Sequence, residues 1–64
     1  MQSYRVYFMC GKLIVAAEVV EALGAADAAN LATVASSGVP WRKLNPDRLE
    51  VWQGAIFHLE AAIA

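Results

Sequence analysis

The chain has 64 residues, of which 59% are hydrophobic and 17% are charged, and its formal net charge at pH 7 is −1. This length predicts one small domain over residues 1–64 and excludes two, while the apolar content excludes a disordered chain, which would be rich in charge. A net charge so close to zero gives no electrostatic reason to expect a nucleic acid or a membrane surface as partner.

The first predicted elements are two strands joined by a tight turn. Residues 3–9 are rich in β-branched and aromatic side chains, which favour a strand, and a second strand follows from Leu13. Gly11 can provide the positive φ that a two-residue turn at Cys10-Gly11 requires. The resulting register, which gives an apolar core face, pairs Phe8 with Leu13, Val6 with Val15 and Tyr4 with Ala17.

A short helix is predicted next. Asp27 can cap a helix over residues 28–36, with Gly38 just past its end. Because alanine dominates the apolar stripe, this helix should lie close to a sheet; the stripe is Ala28, Leu31, Val34 and Ala35. A single helix over residues 13–36 is the competing interpretation, which the valines at its start and Gly24 disfavour. Residues 39–47 contain both prolines and predict a loop that crosses the sheet.

The pattern after this loop allows two structures. Residues 49–52 and 56–60 can form two strands joined by a turn at Gln53-Gly54-Ala55. The alternative is a C-terminal helix, which Asn45-Pro46 could begin and which would have Gly54 in its interior. Its apolar stripe, spaced by three and four residues, would be Leu49, Trp52, Ile56, Leu59 and Ile63.

The chain resembles a group of very small bacterial proteins with a ββαββ order. The matching segments are Tyr4-Arg5-Val6-Tyr7-Phe8, Ala25-Ala26-Asp27-Ala28 and Glu50-Val51-Trp52-Gln53-Gly54-Ala55. The resemblance implies a C-terminal hairpin and carries no activity. We therefore expect an α+β fold, ββαββ, with a small antiparallel sheet and one helix on one face, and keep ββα followed by a C-terminal helix as the alternative.

The reactive side chains form no recognisable catalytic or metal motif. Cys10 is the one cysteine and His58 the one histidine, so no disulfide can form within the chain and a zinc site is not expected. His58 could face Glu50 across the predicted hairpin as a simple ion pair. We expect no cofactor and no enzymatic activity. The single cysteine fits a cytoplasmic protein, and the carboxylates of Glu18, Glu21 and Asp27 argue against a transmembrane helix.

Two surfaces are candidates for binding. One helix can cover only one face of a four-stranded sheet, and soluble monomers rarely leave a large apolar patch in water. We expect the other face to bind a protein, with a homodimer as one form of this; its residues would be Arg5, Tyr7, Met9, Ile14, Glu18 and Trp52. The second candidate is the loop cluster Trp41, Arg42, Lys43 and Arg48, where an aromatic ring beside basic groups could hold nucleic acid.

These features predict a small non-catalytic module that binds or inhibits a larger protein. Small phage-encoded inhibitors of bacterial defence, such as anti-CRISPR proteins, share this profile of size and missing motifs. A nucleic-acid-binding module that uses the loop cluster is the alternative function.

Overall fold

Four strands form one antiparallel sheet in the computed structural model, which describes residues 1–34 and 41–63. The strands are β1 (Gln2–Cys10), β2 (Leu13–Ala22), β3 (Arg48–Gln53) and β4 (Ile56–Ala62), and one helix, α1 (Ala25–Val34), separates the two hairpins. The order across the sheet is β2-β1-β3-β4. The α+β prediction with the order ββαββ is therefore confirmed.

The first hairpin turns one residue later than predicted. Cys10 pairs with Leu13, so the turn consists of Gly11 and Lys12, and Gly11 has a φ of 60°. Glycine at the first turn position is what a type II′ turn requires. The predicted pairing of Phe8 with Leu13 is thus wrong, and Leu13 is 70% exposed.

A β-bulge interrupts the pairing of β1 with β2 beyond this turn. Phe8 pairs with Ala16 whereas Met9 pairs with Ile14, which leaves Val15 as the extra residue of β2. The bulge changes which alternate residues of β2 face the core. Val15 and Ala16 consequently both pack against the buried cluster.

The helix begins earlier than predicted and presents a face of alanines to the sheet. The Gly24 carbonyl accepts the first helical hydrogen bond from the Ala28 N–H at 2.9 Å. Asp27 therefore lies within the first turn rather than at the cap, and its Oδ2 accepts a hydrogen bond from the Leu23 N–H at 3.3 Å. The predicted end of the helix at Ser36 and Gly38 lies outside the described residues.

The buried face of α1 differs from the predicted stripe. Its buried residues are Ala28 and Ala32, and Ala25 and Ala29 pack against the same core. Val34, which was expected in the stripe, is 77% exposed. Small side chains at this spacing allow the helix to approach the sheet closely, as the alanine content predicted. The buried cluster beneath it is Tyr4, Val6, Phe8, Ala22, Leu49 and Val51.

The helix is also the connection that the topology needs. Because β2 and β3 are both antiparallel to β1, they run in the same direction on either side of it. Parallel strands require a crossover rather than a tight turn. The chain crosses the sheet through α1 and a short 3₁₀ helix, Trp41–Leu44, which forms part of the predicted loop. Residues 39 and 40 of that loop lie outside the described residues.

The C-terminal segment is a hairpin. Gln53 pairs with Ile56 across a turn of Gly54 and Ala55, and Gly54 has a φ of 59°. The helical alternative is therefore wrong. The apolar stripe proposed for that helix does not form one surface, because a strand alternates its side chains between two faces and so separates Leu49 from Trp52. A second bulge lies in this hairpin, where Val51 pairs with Leu59 and Trp52 with Phe57.

Candidate functional site

The candidate site is the face of the sheet opposite α1, which we call the open face. Directly paired residues of neighbouring strands project to the same face of a sheet. The observed registers therefore arrange this face in three rows, each read in the order β2, β1, β3 and β4. The first row is Val19, Arg5, Trp52 and Phe57; the second is Ala17, Tyr7, Glu50 and Glu60; the third is Ile14, Met9, Arg48 and Ala62.

Aromatic and aliphatic side chains occupy much of the open face. The rings of Trp52 and Phe57 meet edge to face with centroids 5.3 Å apart. A shallow depression beside Trp52 is lined by Tyr7, Met9 and Ile14. Three apolar side chains of the face remain largely in contact with solvent: Ile14 is 57% exposed, Val19 66% and Phe57 48%.

A compact ionic cluster occupies the β3–β4 side of the same face. The Arg48 guanidinium lies 3.0 Å from Asp47 Oδ1, 3.3 Å from Glu60 Oε2 and 3.9 Å from Glu50 Oε2. Its hydrogen bond to Asp47 is the main cause that raises the pKa of Arg48. Three carboxylates around one guanidinium leave this side of the face with an excess of negative charge.

Glu50 joins the ionic cluster to the aromatic pair. Its Oε1 accepts a hydrogen bond from the Trp52 indole N–H at 3.0 Å. Trp52 is therefore held between Glu50 on one side and Phe57 on the other. This contact fixes the orientation of the indole on the open face.

The registers bring five of the six predicted sheet residues to the open face: Arg5, Tyr7, Met9, Ile14 and Trp52. Glu18 is the exception, because it pairs with the fully buried Val6 and so shares the face that α1 covers. The predicted position of Glu18 is corrected for this reason. The binding role of the five remains a prediction.

Sequence reasoning missed seven residues of the open face, which are Val19, Ala17, Phe57, Glu50, Glu60, Arg48 and Ala62. Val19 was missed because the register was wrong, and Phe57 because the C-terminal segment had two interpretations. Glu50 and Glu60 were not assigned to the face for the same reason. Period-two alternation from Trp52 back to Glu50 and Arg48 is the signal that could have found part of this set.

The residues of the predicted loop cluster belong to two different elements. Trp41, Arg42 and Lys43 belong to the 3₁₀ helix, and Lys43 is exposed. Arg48 belongs to β3 instead, and its charge is engaged by the carboxylates of the ionic cluster. The predicted set is thus divided between two elements.

Cys10 and His58 do not lie side by side in the sheet, because Cys10 ends β1 and His58 lies beside Val51 and Trp52 of β3. Cys10 follows Met9, which pairs with Arg48, whereas His58 Nε2 lies 3.1 Å from Gln53 Oε1 at the far end of β3. The His58 ring also meets the Tyr4 ring edge to face at 5.4 Å. Glu50 pairs with Glu60, so the expected contact between Glu50 and His58 is wrong.

Comparison of the chain with protein-family models, curated proteins and solved structures gives no match. Within residues 1–34 and 41–63, no helix has both the length and the apolar character needed to span a membrane. The same residues contain no group of three or more His, Cys, Asp or Glu side chains placed to hold a metal ion.

Proposed function

We propose that the protein is a small binding module that docks a protein partner on the open face of its sheet. The observation that carries this proposal is the exposure of apolar side chains in the first and third rows of that face. Ile14, Val19 and Phe57 project from three different positions around Tyr7 and Trp52. A contiguous apolar patch with a polar margin is the usual character of a protein-binding surface.

The chemistry of the face fits a protein better than a nucleic acid. Tyrosine, tryptophan and arginine dominate the energetics of protein interfaces, and Tyr7, Trp52 and Arg5 lie next to one another here. The carboxylates of Glu50 and Glu60 would repel phosphates on the same face. Arg48, one of the basic residues of the loop cluster, is already paired with carboxylates.

A module of this kind acts by occupying a surface of a larger protein. Inhibition of a larger protein machine, as by phage-encoded inhibitors of bacterial defence, is the form of this function that the size and missing catalytic motif of the sequence favour.

Site-specific photo-crosslinking tests the proposal with a matched pair of positions. Val19 on the open face and Val34 on α1 are the same residue type with similar exposure, 66% and 77%. A photoreactive phenylalanine analogue at each position is activated in cells that express the protein. We expect discrete protein adducts from position 19 and none from position 34. Equal adducts from both positions, or none from position 19, would overturn the proposal.

A further inference from the structure

We infer that the partner on the open face is a second copy of this chain, packed face to face about a two-fold axis that runs along the strands between β1 and β3. This inference rests on the proposed function and specifies its partner. It follows from the size of the face, from the construction of the sheet edges and from the distribution of charge over the three rows.

The size of the face favours a broad, flat partner. The two longer dimensions of the fold are 29 and 23 Å, so the face spans about 670 Å² in projection, without the relief of its side chains. A stable protein interface buries about 800 Å² on each partner. A stable interface on this face therefore needs all of it, which a single peptide strand or helix would not cover. A second copy of the same sheet offers a surface of matching size.

The edges of the sheet are less suited to self-association than its face. The edge strand β2 has a bulge at Val15, and Glu18 projects from it toward the α1 side. The other edge strand, β4, has a bulge at His58. Bulges and inward-pointing charges are the features by which natural sheets prevent edge-to-edge pairing. Pairing of two sheets through their edges is accordingly disfavoured.

The charges of the second row decide the orientation of the two copies. Aligned sheets pack with their strands within about 30° of each other, so a two-fold axis can run along the strands or across them. A two-fold axis that crosses the strands at the second row would place Glu50 of one copy against Glu50 of the other, and Glu60 against Glu60. An axis along the strands exchanges β1 with β3 and β2 with β4, which places Tyr7 opposite Glu50 and Ala17 opposite Glu60. Repulsion between these like charges disfavours the axis that crosses the strands.

The favoured orientation also supplies a partner for Arg5. The Arg5 side chain is exposed and forms no ion pair or hydrogen bond with the part of the chain that the structure describes. Exchange of β1 with β3 places it against Trp52 of the other copy, where a guanidinium can stack on an indole. The Tyr7 hydroxyl can donate to Glu50 of the other copy. Each contact occurs twice because the interface is symmetric.

Substitution of Ala17 by residues of opposite charge tests both the identity of the partner and the direction of the two-fold axis. Ala17 is exposed on the open face and lies opposite Glu60 of the other copy in the proposed arrangement. The dimer dissociation constant is measured by sedimentation equilibrium over a dilution series. We expect Ala17→Glu to raise it by about tenfold or more, and Ala17→Lys to leave it unchanged or lower it. Asn30→Glu and Asn30→Lys, on an exposed position of α1, are the controls and should change nothing.

The remaining outcomes overturn the inference in distinguishable ways. Equal weakening by Ala17→Glu and Ala17→Lys would show that the axis is misplaced, and no effect of either would show that the dimer uses another surface. A protein that stays monomeric at every concentration would exclude the second copy. A monomer crosslinked from position 19 to a larger protein would retain the proposed function without this partner. A monomer that binds a single-stranded oligonucleotide through the face would assign the face to nucleic acid.

Discussion

The Asp47 carboxylate accepts a hydrogen bond from the backbone N–H of Gly11 at 2.9 Å, across 36 residues of sequence. The backbone of Asp47 makes two more long-range contacts: its N–H donates to the Met9 carbonyl at 2.8 Å, and its carbonyl accepts from the Ile63 N–H at 3.0 Å. One residue therefore joins the turn of the first hairpin, the end of β1 and the end of the second hairpin. The hydrogen bonds of Asp47 thus connect three segments at this end of the sheet.

Loss of the Asp47 carboxylate should loosen the first turn. In Asp47→Ala the Gly11 N–H has no carboxylate acceptor, so its amide exchange rate should rise, whereas Asp47→Asn keeps an oxygen that can accept the bond. Amide hydrogen exchange measured by NMR for both variants checks this. Equal exchange rates at Gly11 in the wild type and in Asp47→Ala would show that the contact does not order the turn.

The same contact predicts a pH dependence of stability. The hydrogen bond from Gly11 is the main cause that holds the pKa of Asp47 below its ordinary value of 3.8; Arg48 acts in the same direction and partial desolvation opposes them. A pKa lower in the folded than in the unfolded state stabilises the fold fully above the unfolded value, and this stabilisation is lost as the pH falls through the folded pKa. The wild type should therefore have a larger free energy of unfolding than Asp47→Asn at neutral pH, and this difference should disappear below about pH 4.

Urea unfolding of the wild type and Asp47→Asn at a series of pH values measures this difference directly. The two free energies of unfolding should differ at neutral pH and converge in acid. A difference that stays constant down to about pH 2 would assign it to geometry rather than to ionisation.

The alternation of apolar residues in β1 was sufficient to predict the core face, because Tyr4, Val6 and Phe8 are buried as expected. The register of β2 could not be predicted in the same way. Apolar residues occur on both sides of that strand, so its pattern allows either set of alternate residues to face the core, and the bulge at Val15 determines which set does. The C-terminal segment was ambiguous because strand and helix periodicities overlap over short apolar runs.

The candidate site was predicted in part for related reasons. Arg5, Tyr7 and Met9 alternate along β1 with the core residues Tyr4, Val6 and Phe8, so their shared face followed from period two. Glu18 was placed on the wrong face because a bulge reverses the alternation in β2. The ionic cluster around Arg48 joins residues of β3 and β4, and its geometry depends on a register that local sequence does not encode.

Substitutions on the two faces of the first hairpin should have different effects. Phe8 is fully buried, so Phe8→Ala should lower the free energy of unfolding by about 3–5 kcal/mol, and Val15→Ala should lower it by a smaller amount. Tyr7→Ala and Ile14→Ala should leave the fold mostly intact and weaken assembly or partner binding. Urea unfolding and sedimentation of the four variants separate these effects. Equal unfolding by both pairs would contradict the assignment of faces.

The alanine face of α1 predicts that a larger side chain at Ala32 will be destabilising. Ala32 is 1% exposed beneath the helix, so a leucine there must push α1 away from the sheet or displace its neighbours. We expect Ala32→Leu to cost about 1–3 kcal/mol, as overpacking of a core usually does. Asn30→Leu adds the same side chain at an exposed position of the same helix and should be nearly neutral. Thermal and urea unfolding compare the two variants, and a neutral Ala32→Leu would show that the helix does not depend on close approach.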